Sequence, residues 1–125
     1  MTDIKYVNPG TPVAGPYTPG VLAGNILFIS GQGPKQTTKT IEDQTYSTLE
    51  NIKSIVEAAG VKIKNVVSIT VFLRDIKDFE EMNKIYKKFF DDNDISGNYP
   101  ARTTVEVSNL PIASMLIEIN AIAVL

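Results

Sequence analysis

Residues 66–73, VVSITVFL, constrain the fold more than any other stretch. They read as a β-strand that is apolar on both faces, which belongs at the centre of a sheet. A second strand, Leu116 to Val124, repeats the problem with Ile117 and Ile119 on one side and Ile122 and Val124 on the other. Helices over one face of such a sheet leave the opposite face to be buried by something else. A single copy would expose more apolar surface than monomers normally tolerate.

The rest of the chain supplies the helices and the remaining strands. Four of the seven prolines, at 9, 12, 16 and 19, lie in residues 1–20. With Gly10, Gly15 and Gly20 they predict an extended arm laid on the domain, and Tyr17 anchors it to the core in the plainest reading. Residues 21–30 read as a hairpin turning at Gly24-Asn25, with Ser30-Gly31 ending its second strand. Gly31 allows a backbone or a ligand to approach closely. A polar loop over 33–40 leads to a helix with Thr40 as N-cap and Asp43 at its third position. Leu49, Ile52, Val56 and Ala59 form its buried stripe, and Gly60 closes it. A second capping box, Asp78 with Glu81, opens a helix with core stripe Phe79, Met82, Tyr86 and Phe89. Asn83 flanks that stripe, where an amide is ordinarily a helix-edge hydrogen-bonder.

Composition narrows the chemistry. The 125 residues contain neither cysteine nor histidine, so thiolate nucleophiles, serine triads and ordinary zinc sites are excluded. Catalysis has to run on carboxylates, hydroxyls, Lys, Arg or backbone groups. The run Asp91-Asp92-Asn93-Asp94 lacks the spacing of a calcium loop and reads as a solvated helix exit. A net charge of −2 with scattered lysines argues against a nucleic-acid partner. The first ten residues carry no apolar signal region and no run of 18 apolar residues follows, so the expected location is cytoplasmic, without a membrane partner.

Two charged residues stand out. In YPARTTVEVSNLP, residues 99–111, strand alternation sets Arg102, Thr104 and Glu106 on one face and Ala101, Thr103, Val105 and Val107 on the other. A guanidinium on a strand is a pre-organised fork for a carboxylate. Glu118 lies inside the strongly apolar last strand, where a carboxylate must be paired, neutral or functional. Two readings stay open. Arg102 and Glu118, on adjoining strands, form a structural ion pair, or the arginine holds an acid while the glutamate handles water or protons.

These segments resemble the reactive-intermediate deaminase family (RidA, also called YjgF). The similarity runs through AGPYTPG at 14–20, FISGQ at 28–32, TLENIKSIVEAAG at 48–60, VFLRDIKDFEEMNKIYKKFF at 72–90, YPARTTVEVSNLP at 99–111 and LIEINAIAV at 116–124. It implies a single domain over residues 1–125 with a chorismate-mutase-like α+β fold. A six-stranded mixed sheet would carry two helices on one face and assemble as a barrel-like homotrimer with clefts between neighbours. It also implies a cofactor-free and metal-free hydrolase that converts 2-enamine and 2-imine acids, such as 2-aminoacrylate or 2-aminocrotonate, to 2-oxo acids and ammonia. By position, Arg102 matches the carboxylate-binding arginine and Glu118 the glutamate that orients water. Tyr17 and Ser30 match an aromatic and a hydroxyl lining the cleft, Gly31 their backbone neighbour, and Asn83 a supporting asparagine. Thr104 stands where many members have cysteine, in a role carried mainly by the backbone. Gln32-Gly33-Pro34 departs from the family turn, and Asn120 replaces a frequent second glutamate.

The chemistry is coherent on its own terms. An imino acid is already an electrophile, so its hydrolysis needs a positioned water more than a strong nucleophile. Two other classes are weighed against it: a non-catalytic binder of small carboxylates or chaperone-like partner, and an RNA-acting translation inhibitor. Binding alone needs no water-orienting glutamate, so retention of both Arg102 and Glu118 favours the enzyme.

Overall fold

The computed structural model describes residues 3–125; Met1 and Thr2, the start of the expected arm, lie outside the described residues. Six strands and two helices follow one another as β1 (Ile4–Val7), β2 (Gly20–Ala23), β3 (Ile26–Gln32), α1 (Ile41–Ala58), β4 (Val66–Leu73), α2 (Phe79–Asp92), β5 (Ala101–Glu106) and β6 (Ile117–Val124). They form one mixed sheet in the order β1-β2-β3-β6-β4-β5. β4 and β5 are parallel, with α2 as their crossover, and every other pairing is antiparallel. The expected α+β architecture, six strands with two helices on one face, is present.

Local chemistry accounts for the element ends. Thr40 caps α1 as anticipated, its Oγ1 accepting from the Asp43 N–H at 3.1 Å, and Gly60 follows with φ +83°. The start of α2 differs. A 3₁₀ turn over Ile76–Asp78 precedes it, so Asp78 already has helical dihedrals and its side chain caps nothing. The capping carboxylate is Asp75, which is extended and accepts from the Lys77 N–H at 2.9 Å. The expected arm also contains a strand, β1, paired to β2.

The core lies between the helices and one face of the sheet. Leu49, Ile52, Ile55 and Val56 of α1 and Met82, Tyr86, Phe89 and Phe90 of α2 are buried against Leu27, Ile69, Val71, Leu73, Ile117 and Ile119. Phe79, expected in the α2 stripe, is 37% exposed, and Phe90 takes the core position instead. At the helix exit Asp91 and Asp92 pair with Lys87 and Lys88 at 2.6 and 2.9 Å, which fits a solvated end.

No second layer covers the other face of the sheet among the described residues. Phe28 is 47% exposed there, beside half-buried Ile122, Val124 and Phe72 and exposed Val105. Burial alternates strictly along β6: Ile117, Ile119, Ala121 and Ala123 face the helices, while Glu118, Asn120, Ile122 and Val124 face the open side. No helix among the described residues is long and apolar enough to cross a membrane.

Candidate active site

Glu118 sits opposite Phe72 of β4, on the open side of the sheet. Next to it, β3 runs past its expected end and carries a register shift between Ile29 and Gln32. That irregularity brings Gly31 under the carboxylate. A Cβ on residue 31 would strike Glu118 Oε2 and stand 3.0 Å from its Cδ. The glutamate side chain fills the space that Gly31 leaves, and any larger residue there would require it to move. Burial alone pushes the Glu118 carboxyl above its ordinary value of 4.5. Among the described residues no cation pairs with it.

Glu118 opens into a cleft of about 510 Å³ whose lining includes Tyr17, Gly31, Gln32, Ile112, Ser114 and Met115. Tyr17 is 43% exposed and does not anchor the arm in the core; its hydroxyl accepts from the Ala14 N–H at 3.1 Å, which folds the 14–17 turn around the ring. The Ser30 hydroxyl donates to the Thr18 carbonyl at 2.6 Å and the Ser30 N–H to that of Pro19 at 2.9 Å. Ser30 thus pins the proline-rich arm beside the cleft, and its oxygen retains acceptor capacity.

The cleft's other wall, residues 111–116, is held by two side chains that sequence reasoning passed over. Gln44, 2% exposed, donates to the carbonyls of Thr38 and Ser114 at 3.2 and 3.0 Å and accepts from the Leu116 N–H at 2.7 Å. Arg74 donates to the carbonyls of Met115 and Ile112 at 2.7 and 3.1 Å. The available signal for Gln44 was a polar residue three positions after Ile41 on the buried stripe of α1.

Arg102 lies elsewhere. β4 separates β5 from β6, so the strands of Arg102 and Glu118 do not adjoin as expected. Arg102 pairs with Ile69, whose side chain is in the helix-side core, and its guanidinium carbon is 4.7 Å from the Tyr86 ring centroid. It points to the α2 side and Glu118 to the open side, so the expected ion pair does not form within one chain. Thr104 shares the Arg102 face of β5. Thr104 Oγ1, Asn83 Oδ1 and Tyr86 OH are buried and without hydrogen-bond partners among the described residues. The expected site residues thus fall in two separate groups: Tyr17, Gly31 and Glu118 line the cleft with Ser30 beside it, whereas Arg102, Thr104 and Asn83 are not among its lining residues. Among the described residues no group of three or more acidic side chains is placed to hold a metal ion.

The chain is similar to known proteins over most of its length. A family model described as Endoribonuclease L-PSP matches residues 9–125. The chain is 44% identical to a RutC family protein of Saccharolobus solfataricus over 129 residues, covering 98% of each. It is also 44% identical to the 2-iminobutanoate/2-iminopropanoate deaminase of Salmonella typhimurium over 115 residues, covering 88% of each. Among solved structures, E. coli TdcF with bound serine shares the fold with a TM-score of 0.89 and 40% identity, across 97% of this chain and 98% of that one. With the family model and these relatives spanning most of its length, the chain belongs to the Endoribonuclease L-PSP family, which includes the reactive-intermediate deaminases that its sequence resembles.

Proposed function

We propose that this protein, as one domain over residues 1–125, hydrolyses 2-imine and 2-enamine acids such as 2-aminoacrylate or 2-aminocrotonate to 2-oxo acids and ammonia. The observation that carries this reading is the Glu118 carboxylate, unpaired by any cation among the described residues and seated over Gly31 in an open cleft. A carboxylate raised by burial is a better proton acceptor than one free in water. The deaminase relative and the serine bound to E. coli TdcF support a small amino-acid-like substrate.

Glu118 orients a water and accepts its proton as the water oxygen bonds to C2 of the imine. The C=N π pair moves to nitrogen, which takes up the proton that Glu118 accepted. As the carbinolamine collapses, its hydroxyl proton passes by way of Glu118 to the nitrogen, the C–N bond breaks, the C2 carbonyl forms and ammonia leaves. An enamine first takes a proton at C3 to become the imine. Arg102 holds the substrate carboxylate bidentately, and Tyr17, Ser30, Gly31, Thr104 and Asn83 shape the cleft around it.

The two groups of site residues meet in a cyclic homotrimer that buries the open face of the sheet, Arg102 of one copy facing the Glu118 cleft of the next. The apolar residues on that face and the opposed directions of the two side chains support this assembly. The test is to couple the protein to a pyridoxal-dependent threonine dehydratase and follow 2-oxo acid release. Acceleration over the uncatalysed hydrolysis is expected; an unchanged rate overturns the assignment.

A further inference from the structure

Arg102 is partly buried, yet among the described residues its guanidinium makes no bond to a carboxylate. It rests on α2 instead. Its carbon lies 4.7 Å from the Tyr86 ring centroid and 5.7 Å from that of Phe79, and Nη1 is 3.9 Å from Met82 Sδ. These three residues fall at positions 79, 82 and 86 of one helix, spacings of three and four that set them along a single face. Tyr86 and Met82 are buried, so the shelf is fixed by the core beneath it.

We infer that Tyr86, with Phe79 and Met82, positions the Arg102 guanidinium for the substrate carboxylate by stacking, in the place where a structural carboxylate would ordinarily hold an arginine. This rests on the reading of Arg102 as the carboxylate anchor and extends it. A positioning carboxylate would occupy the same N–H edge that the substrate needs. An aromatic face attracts the cation through its π system and leaves that edge free. The weak hydration of a guanidinium makes such a partly buried seat tolerable. Burial pushes the Tyr86 hydroxyl up to about 12, so the ring remains a neutral phenol at neutral pH and does not compete as an anion.

Tyr86 and Phe79 are positioning residues, and the test separates positioning from stability. Steady-state kinetics on 2-iminobutanoate generated in situ would compare wild type, Tyr86→Leu, Tyr86→Phe, Phe79→Ala and Arg102→Ala, with melting temperatures alongside. Tyr86→Leu should raise KM about tenfold while kcat changes less than about twofold, and Tyr86→Phe, which keeps the ring, should restore KM. Phe79 is half-exposed, so Phe79→Ala keeps the fold even if Tyr86→Leu does not, and should raise KM about threefold. An unchanged KM in Phe79→Ala and Tyr86→Leu overturns the shelf, as does a Tyr86→Phe variant as impaired as Tyr86→Leu. Either result beside a damaged Arg102→Ala leaves the anchor standing. An unimpaired Arg102→Ala removes the anchor itself and the shelf with it.

Discussion

Arg102 and Glu118 leave one sheet on opposite faces, with β4 between their strands. Two strand spacings amount to about 10 Å before the opposed directions are added. A three- or four-carbon acid cannot touch both groups in one chain, so a site that uses both is shared between copies.

Sharing predicts complementation. Arg102→Ala and Glu118→Gln should each be nearly inactive as homotrimers. Unfolded together and refolded as a mixture, they should recover roughly a quarter of wild-type activity, because a random mixture supplies both intact halves at about one interface in four. Recovery indistinguishable from zero, with mixed trimers demonstrated by native mass spectrometry, would place both groups' action within one chain.

Gly31→Ala tests the cradle. The added methyl collides with the Glu118 carboxylate, which must swing away from its seat. Turnover should fall about a hundredfold from the displaced base. Because the displaced group is the movable end of a side chain beside an open cleft, stability should change little. A wild-type kcat in Gly31→Ala would mean that the carboxylate's seat is immaterial.

Much of this arrangement was legible from local pattern. Strict alternation along 101–106 and 117–124 identified which neighbours share a face with Arg102 and with Glu118 inside each strand, but not that the two residues point to opposite sides of the sheet. The Thr40 cap was legible for the same local reason. The insertion of β6 between β3 and β4 was not. Pairing order is settled by contacts distant in sequence, and without it the arginine and glutamate strands read as adjoining. The start of α2 misled because a 3₁₀ turn moved the capping carboxylate three residues back, to Asp75. Gln44 escaped notice because a glutamine on a helix is ordinarily solvated, and only the loop folded over it reveals its partners.

That loop yields a stability prediction. Gln44→Met keeps volume and removes three hydrogen bonds, leaving the Thr38 and Ser114 carbonyls and the Leu116 N–H to find other partners. A loss of about 2–4 kcal/mol is expected by denaturant unfolding. Because Pro111, Ile112, Ser114 and Met115 line the cleft, KM should rise in the surviving folded fraction. Unchanged stability would show that water satisfies the loop without the glutamine.

Glu118 should leave its mark on pH dependence. Its folded-state pKa is raised by burial, so the folded state holds the proton to higher pH than the unfolded chain. Stability therefore falls as pH rises from the ordinary value of 4.5 through the raised one, and the loss persists above it. Glu118→Gln removes that decrement, so the variant should gain melting temperature relative to wild type above this window while losing roughly a hundredfold in rate. The acid limb of the wild-type kcat profile should lie above 4.5 for the same reason. A variant that loses stability at neutral pH would mark Glu118 as a structural partner.

Arg102→Lys decides whether the fork matters beyond its charge. Lysine keeps one positive charge but presents a compact ammonium on a flexible stem, without two parallel N–H donors or a flat face to stack on Tyr86. Both the carboxylate grip and the seat are lost, so the variant should be almost as impaired as Arg102→Ala. Loss of a charge-assisted pair in a cleft costs about 2–4 kcal/mol of transition-state binding. In kcat/KM that is roughly thirty- to a thousandfold. The proposed trimer should persist in both variants, since the sheet face that it buries is largely apolar and Arg102 meets the neighbouring copy only at the cleft. A 2-oxo acid such as 2-oxobutyrate should raise the melting temperature of wild type and of neither variant. Should Arg102→Lys retain most of the wild-type kcat/KM, charge alone suffices and bidentate geometry is not what the strand provides.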